Sequence, residues 1–200
     1  MKEKKDRLIN YNFFHWGPLL FQTNLTEKEL SEVKKLCSKE GKDYRKNLAG
    51  LIKHEHEIDS KKLFSIISPY ANSYINAFKK YSDKTLGDEV KLIKSWVNYM
   101  VKGEANPLHT HDGDLSFVLF TEIPKDLFKE YENHVGNTKP GMISFVYTLE
   151  DRKTLINEHS FFPTVGTFFI FPACLHHYVN PFKCDGERVS VSGNIGVSGA

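Results

Sequence analysis

Two histidines in the stretch "NPLHTHDGDLSFV", residues 106–118, have the type and spacing of metal ligands. His109 and His111 stand two residues apart, and on a β-strand this spacing places both imidazoles on the same face. An apolar run follows them directly. The residues by themselves allow two interpretations, a pair of metal ligands or a polar strand end exposed to water.

A second histidine pair, His176 and His177, also follows an apolar run, "GTFFIFP". On a strand these neighbours point to opposite faces, so only one of them can join the first pair. On a strand, residues an even number of positions apart share a face, so His177 lies on the same face as Phe171. This favours His177 over His176. Two ligands from one strand end and a third from a distant strand would hold a metal in the mouth of a β-barrel, with coordination positions left open for chemistry.

Other residues compete for a place in such a site. The "HEHEID" segment, residues 54–59, contains His54 and His56 but lacks a flanking apolar strand, which is typical of a solvated loop or a substrate-side edge. Cys174 is a soft ligand, although a small buried residue is its favoured role. Asp112 and Asp114 carry carboxylates, but the sequence "DGD" is typical of a turn.

Length and composition predict one globular domain, residues 1–200, with 40% apolar and 13% aromatic residues. A net charge of +2 gives little support to a nucleic-acid partner. No run approaches the length of a membrane span, so we expect no membrane partner. Three scattered cysteines and the lack of a signal-peptide pattern favour the cytoplasm.

The sequence pattern changes near residue 88. Residues 1–88 are predicted to be largely helical, with a capping box formed by Thr26 and Glu29 and an amphipathic helix over 63–78 that Pro69 is expected to kink or split. Residues 89–200 contain short apolar runs separated by turn residues, which indicate a β-barrel or sandwich. We therefore predict a mainly β (α+β) fold with N-terminal helices packed outside a β core.

Four segments carry a family resemblance: "KGEANPLHTH", "LSFVLF", "GTFFIFPACLHHYVNPF" and "ERVSVSGNI". In this order they resemble the Fe(II)/2-oxoglutarate-dependent oxygenases, specifically a small prolyl-4-hydroxylase-like branch found in phage genomes. The resemblance implies a double-stranded β-helix (jelly-roll) that uses Fe(II), 2-oxoglutarate and O2. It also implies hydroxylation of an unidentified substrate, prolyl, peptidyl or small-molecule, with release of succinate and CO2. A phage-encoded protein would act in the host cytoplasm.

The resemblance also implies a set of metal ligands. The family motif is His-x-Asp/Glu followed by a distant histidine, which places His109 first and His177 last. His111 stands where a carboxylate is usual, and this branch often carries histidine there, so the role passes to His111. Asp114 is the alternative for that position.

A cosubstrate clamp follows from the same resemblance. Family members place an Arg-x-Ser after the distal histidine, where it holds the far carboxylate of 2-oxoglutarate, and Arg188 and Ser190 match it. Asn98 is expected to add a polar contact. Surface pairing of Arg188 with Asp185 or Glu187 is the competing interpretation.

A cupin-type dioxygenase that does not use 2-oxoglutarate and a non-catalytic jelly-roll binding module are the alternative functions.

Overall fold

The computed structural model describes residues 17–82, 87, 89–136, 139–150 and 153–198. The strands are β1 Phe21–Asn24, β2 Glu55–Glu57, β3 Glu89–Met100, β4 Asn106–His109, β5 Leu115–Glu122, β6 Ile143–Val146, β7 Glu158–Phe161, β8 Thr167–Pro172, β9 His176–Val179 and β10 Arg188–Ser198. The helices are α1 Glu27–Leu36, α2 Ser60–Tyr81 and α3 Leu127–Asn133, with a short 3-10 turn at Arg45–Asn47.

The strands form two antiparallel sheets. The larger sheet has the order β1-β8-β5-β10-β3-β2, and the smaller has the order β4-β9-β6-β7. Consecutive strands such as β4 and β5 lie in different sheets, so the chain crosses repeatedly between the two layers. This arrangement confirms the predicted jelly-roll with helices packed outside it.

The N-terminal portion contributes strands as well as helices. β1 pairs with β8 at one edge of the larger sheet, and β2 pairs with β3 at the other edge. Both edges of the larger sheet therefore come from the region predicted to be helical. Because β2 lies directly beside β3, its alternate side chains face the interior of the jelly-roll.

The first helix begins as the sequence predicts. The Thr26 hydroxyl accepts a hydrogen bond from the Glu29 amide at 3.3 Å, and the Glu29 carboxylate accepts one from the Thr26 amide at 2.9 Å. This capping box satisfies two amides at the start of α1, and such a cap contributes about 1 kcal/mol.

The second helix runs unbroken from Ser60 to Tyr81, so the expected split at Pro69 is wrong. Proline removes the hydrogen bond to the carbonyl four residues earlier, that of Ser65. Both residues lie on the exposed face of the helix, where water can bind the freed carbonyl.

α1 and α2 cover one face of the larger sheet. α2 buries a stripe at helical spacing, which consists of Leu63, Ile67, Ala71, Tyr74 and Ile75. This stripe packs in one hydrophobic cluster with outward-facing strand residues such as Val97 and Val191. No helix in the described part of the chain is long and apolar enough to cross a membrane. A second cluster, rich in phenylalanine, fills the space between the sheets.

Candidate active site

A cavity of about 180 Å³ opens beside the phenylalanine-rich cluster. Both sheets contribute to its wall. All six residues predicted from the sequence to form the site line this cavity: Asn98, His109, His111, His177, Arg188 and Ser190.

Strand pairing brings the three histidines together. His109 on β4 lies directly opposite His177 on β9, and their ring centroids are 4.3 Å apart. The amide of His111 donates to the Ala173 carbonyl at 2.9 Å, which holds the segment after β4 against the turn before β9. The Nε2 atoms of His111 and His177 are 3.2 Å apart, and one ring nitrogen of each histidine lies within 4.8 Å of the others.

Backbone carbonyls orient two of the rings. Nδ1 of His109 lies 2.6 Å from the Pro107 carbonyl oxygen, and Nδ1 of His177 lies 2.9 Å from that of Leu175. An Nδ1–H that donates to a carbonyl leaves Nε2 with a free lone pair. Both rings are therefore in the tautomer that a metal requires.

Burial keeps the three imidazoles neutral. Desolvation, assisted by the neighbouring His109, lowers the pKa of His111 and of His177 to about 3. Desolvation also lowers the pKa of His109 below its usual value. Because metal binding needs unprotonated imidazole, these rings are ready to coordinate at neutral pH.

Aromatic side chains surround the histidines. The Trp96 ring lies 5.4 Å from that of His111, and the Phe171 ring lies 4.8 Å from that of His177. These side chains limit the access of water to the cluster.

Arg188 is not paired with a local acid. Asp185 binds Lys102 and Glu187 binds Lys39, so both candidate partners are occupied at the surface. Arg188 itself is only 2% exposed. The surface-pairing interpretation is therefore wrong, because the side chain points inward from the start of β10.

The guanidinium is buried with unused donors. Its Nε and Nη2 are inaccessible to solvent and have no hydrogen-bond partner among the described residues. The ring of Phe120 lies 4.6 Å below its central carbon. Desolvation lowers the pKa of Arg188 to about 9, which leaves it charged at neutral pH. An unpaired buried cation is costly, so this arrangement calls for an anionic ligand.

Ser190 and Asn98 lie next to this cation. Ser190 is two residues after Arg188 on β10 and lines the same cavity, as strand alternation predicts. Asn98 is its cross-strand neighbour on β3, and the Asn98 amide nitrogen donates to the Ser190 hydroxyl at 3.3 Å. Together they provide a hydroxyl and an amide beside the guanidinium.

The aspartates of the "DGD" segment take part in a turn. Gly113 adopts φ of +93°, a conformation that favours glycine. The Asp114 carboxylate accepts a hydrogen bond from the Val197 amide at 2.8 Å, and Asp112 pairs with Lys94 at the surface. Within the described residues, the candidate metal-binding group that includes His111 contains neither aspartate.

We expect Asp114→Asn to leave metal affinity unchanged and to lower the free energy of unfolding by about 1 kcal/mol, because the charged acceptor for Val197 becomes neutral. Metal titration and urea denaturation measure the two effects. The exposed Asp112→Asn is the matched control and is expected to change neither quantity. A tenfold or greater loss of metal affinity in Asp114→Asn would assign this carboxylate to the metal instead.

The remaining candidates lie apart from the cluster. His54 is exposed, and Nδ1 of His56 lies 2.9 Å from the Gly41 carbonyl oxygen. Cys174 is exposed, so the expectation that it is buried is wrong; it lies in the turn between β8 and β9.

Sequence reasoning missed Glu55, which lines the cavity. The available signal was its place between His54 and His56, because alternation on a strand turns Glu55 to the opposite face from its two neighbours.

Comparison with known protein families identifies the class of enzyme. Residues 94–194 match the family described as putative 2OG-Fe(II) oxygenases, and the match covers half of the chain. The chain belongs to this family. Fe(II), 2-oxoglutarate and O2 are accordingly the metal, cosubstrate and oxidant of this oxygenase.

Solved structures share the fold of the oxygenase at low sequence identity. A 2OG-Fe(II) oxygenase family oxidoreductase from Burkholderia pseudomallei matches with a TM-score of 0.55 and 13% identity, over 90% of this chain and 84% of that one. The viral collagen prolyl hydroxylase of Paramecium Bursaria Chlorella virus-1 matches with a TM-score of 0.54 and 14% identity, over 88% and 94%. A Pseudomonas putida prolyl-4-hydroxylase matches with a TM-score of 0.55 and 14% identity, over 87% and 90%. A search of curated proteins found no match.

Proposed function

We propose that this oxygenase hydroxylates a C–H bond of its substrate and that His109, His111 and His177 hold the Fe(II). The three neutral rings, with ligand nitrogens within 4.8 Å of one another, support this assignment. Imidazole is a ligand that suits iron, and three protein ligands leave positions open for the cosubstrate and O2.

Arg188, Ser190 and Asn98 hold 2-oxoglutarate in this proposal. The observation that carries it is the buried guanidinium, whose Nε and Nη2 lack partners among the described residues, in the same cavity as the three histidines. A guanidinium matches a carboxylate with two parallel hydrogen bonds, and the Ser190 hydroxyl adds a further donor. The two functional ends of 2-oxoglutarate match the two groups of residues in this cavity, because its keto acid can chelate a metal and its far carboxylate can bind the arginine.

Charge balance favours a dianionic cosubstrate. The usual facial triad contains a carboxylate, whereas three imidazoles contribute no negative charge. The positive charges of the metal and of Arg188 therefore face the same cavity, and none of the three histidines neutralises them. The two carboxylates of 2-oxoglutarate supply the missing negative charge.

The residues of this chain position and protect the reactants. Trp96 and Phe171 shield the histidines from water, and the carbonyls of Pro107 and Leu175 fix the orientation of two rings. When bound, iron and 2-oxoglutarate supply the oxidation, in which one oxygen atom of O2 enters the substrate and the other enters succinate as CO2 is lost.

Turnover of 2-oxoglutarate tests the proposal. The iron-loaded protein is expected to form succinate and CO2 in equal amounts, and only when Fe(II), O2 and 2-oxoglutarate are all present. Succinate is measured by chromatography and O2 uptake with an electrode. Uptake of O2 that is independent of 2-oxoglutarate would indicate a cupin-type dioxygenase. Failure to bind a divalent metal in stoichiometric amounts would indicate a binding module.

We also propose that the protein acts in the cytoplasm. Cys37, Cys174 and Cys184 are all free thiols, which supports a reducing compartment.

A further inference from the structure

A buried carboxyl group forms part of the cavity wall. Glu55 on β2 lies directly opposite Asn98 on β3, and it is only 1% exposed. Its Oε1 lies against Gly50, where an added Cβ would be 2.9 Å away. Its Oε2 is buried and lacks a hydrogen-bond partner within the described residues.

A second acceptor lies beside it. The Asn98 amide nitrogen donates to Ser190, whereas the Asn98 Oδ1 is buried and has no partner in the described part of the chain. Two neighbouring positions of the wall thus present acceptors without donors. Buried polar atoms are normally satisfied, so this pair points to a ligand that donates hydrogen bonds.

Other charges around Glu55 make this wall acidic. Glu104 lies close by, and its carboxylate is already used by the amides of Lys53 and Val101 at 3.0 and 2.9 Å. Burial, together with the charges of Glu104 and Asp43, raises the pKa of Glu55 to about 7, and Arg45 opposes this rise. Arg45 is itself bound to Asp43 at the surface.

2-Oxoglutarate can accept a hydrogen bond from the Asn98 amide nitrogen, but it cannot satisfy the Asn98 Oδ1 or the Glu55 Oε2. Its carboxylates and keto oxygen are acceptors, and they match the donors of Arg188 instead. One part of the cavity therefore offers hydrogen-bond donors, from Arg188, and the other offers acceptors, from Glu55 and the Asn98 Oδ1. The acceptors of Glu55 and Asn98 are therefore available to bind the substrate, which is the molecule that is oxidised.

We propose that Glu55 is a specificity residue that binds a protonated amine or guanidinium group of the substrate, with the Asn98 Oδ1 as a second acceptor. This inference rests on the proposed function, because it places the substrate beside a cosubstrate held by Arg188. The Trp96 ring lines the same cavity and offers a face that attracts a cation.

Small probe molecules test the sign of this subsite. The protein is loaded with Mn(II) and 2-oxoglutarate, and saturable relaxation enhancement of probe protons reports binding of n-butylamine or its neutral analogue n-butanol near the metal. We expect the amine to bind roughly 10- to 100-fold more tightly than the alcohol, because a charge-assisted hydrogen bond contributes about 1.5–3 kcal/mol. This preference is expected to shrink from about pH 8 to about pH 6, where a carboxyl group with a pKa of about 7 becomes protonated.

The variant Glu55→Gln is expected to lose the preference while it binds Mn(II) and 2-oxoglutarate as the wild type does. Glu57→Gln is the matched control, because this carboxylate lies two residues further along β2, is exposed and pairs with Lys42. Retained preference in Glu55→Gln would show that the amine coordinates the metal directly, and this would overturn the inference. Lack of saturable amine binding would overturn it too, as would weakened 2-oxoglutarate binding in Glu55→Gln. If the wild type binds no 2-oxoglutarate, the proposed function itself fails.

Discussion

Replacing Arg188 with methionine is expected to stabilise the ligand-free protein and to abolish tight binding of 2-oxoglutarate. The guanidinium is buried without an acid partner among the described residues, so methionine removes an uncompensated charge at similar length. We expect the free energy of unfolding to rise by about 1–4 kcal/mol, even though the contact with Phe120 is lost. Affinity for 2-oxoglutarate is expected to fall at least about a hundredfold, since two charge-assisted hydrogen bonds disappear.

The opposite signs of these two effects distinguish a ligand-binding arginine from a structural one. Chemical denaturation of the metal-free protein measures the first effect, and calorimetric titration of 2-oxoglutarate into the Mn(II)-loaded protein measures the second. Arg45→Met is the matched control at an exposed arginine, where both changes are expected to be small. If Arg188→Met destabilises the ligand-free protein and retains 2-oxoglutarate affinity, the clamp assignment is wrong.

Removal of His177 is expected to eliminate high-affinity metal binding. Loss of a residue that only supports a ligand costs about 10- to 100-fold in affinity, so loss of a ligand is expected to cost more than that. Equilibrium dialysis with Fe(II) under anaerobic conditions, or with Mn(II), measures the change. His177 is buried, so His177→Gln is tested together with His177→Ala to limit any effect of lost volume.

The neighbouring histidine provides the control for this prediction. His176 precedes His177 on β9, and strand alternation points it to the opposite, exposed face. We expect His176→Ala to retain wild-type metal affinity. Equal losses in the two variants would indicate a general disturbance of β9 and would contradict the assignment of His177 as a ligand.

Local periodicity predicts which neighbouring residues of the candidate site share a face, whereas the choice of the ligand set and of the Arg-x-Ser came from the family resemblance. Residues two apart on a strand share a face, which relates Arg188 to Ser190, and adjacent residues do not, which separates His176 from His177. The capping box of Thr26 and Glu29 is equally local, since its partners lie within one helical turn. Such relations depend only on backbone geometry over a few residues, so they can be predicted from the sequence alone.

The other features depend on which strands become neighbours. The amide of Val197 that donates to Asp114 lies more than eighty residues away in the chain, and this long-range hydrogen bond attaches the carboxylate of a candidate ligand to β10. Pro69 was expected to kink or split α2, but the helix is not split, because the exposure of Pro69 lets water replace the missing hydrogen bond. Neither outcome follows from the local pattern.

The amino-acid sequence by itself determined the residue types of the candidate site, namely the three histidines and the Arg-x-Ser that the family resemblance singled out, together with the alternation that relates neighbours on a strand. The tertiary structure decided that β2 pairs with β3, which places Glu55 opposite Asn98 and gives the cavity an acidic wall. It also left Arg188 without an acid among the described residues, because lysines distant in sequence bind Asp185 and Glu187. The physical reason is that a side chain's facing direction is a short-range property, whereas its burial and its partners are set by contacts between distant segments.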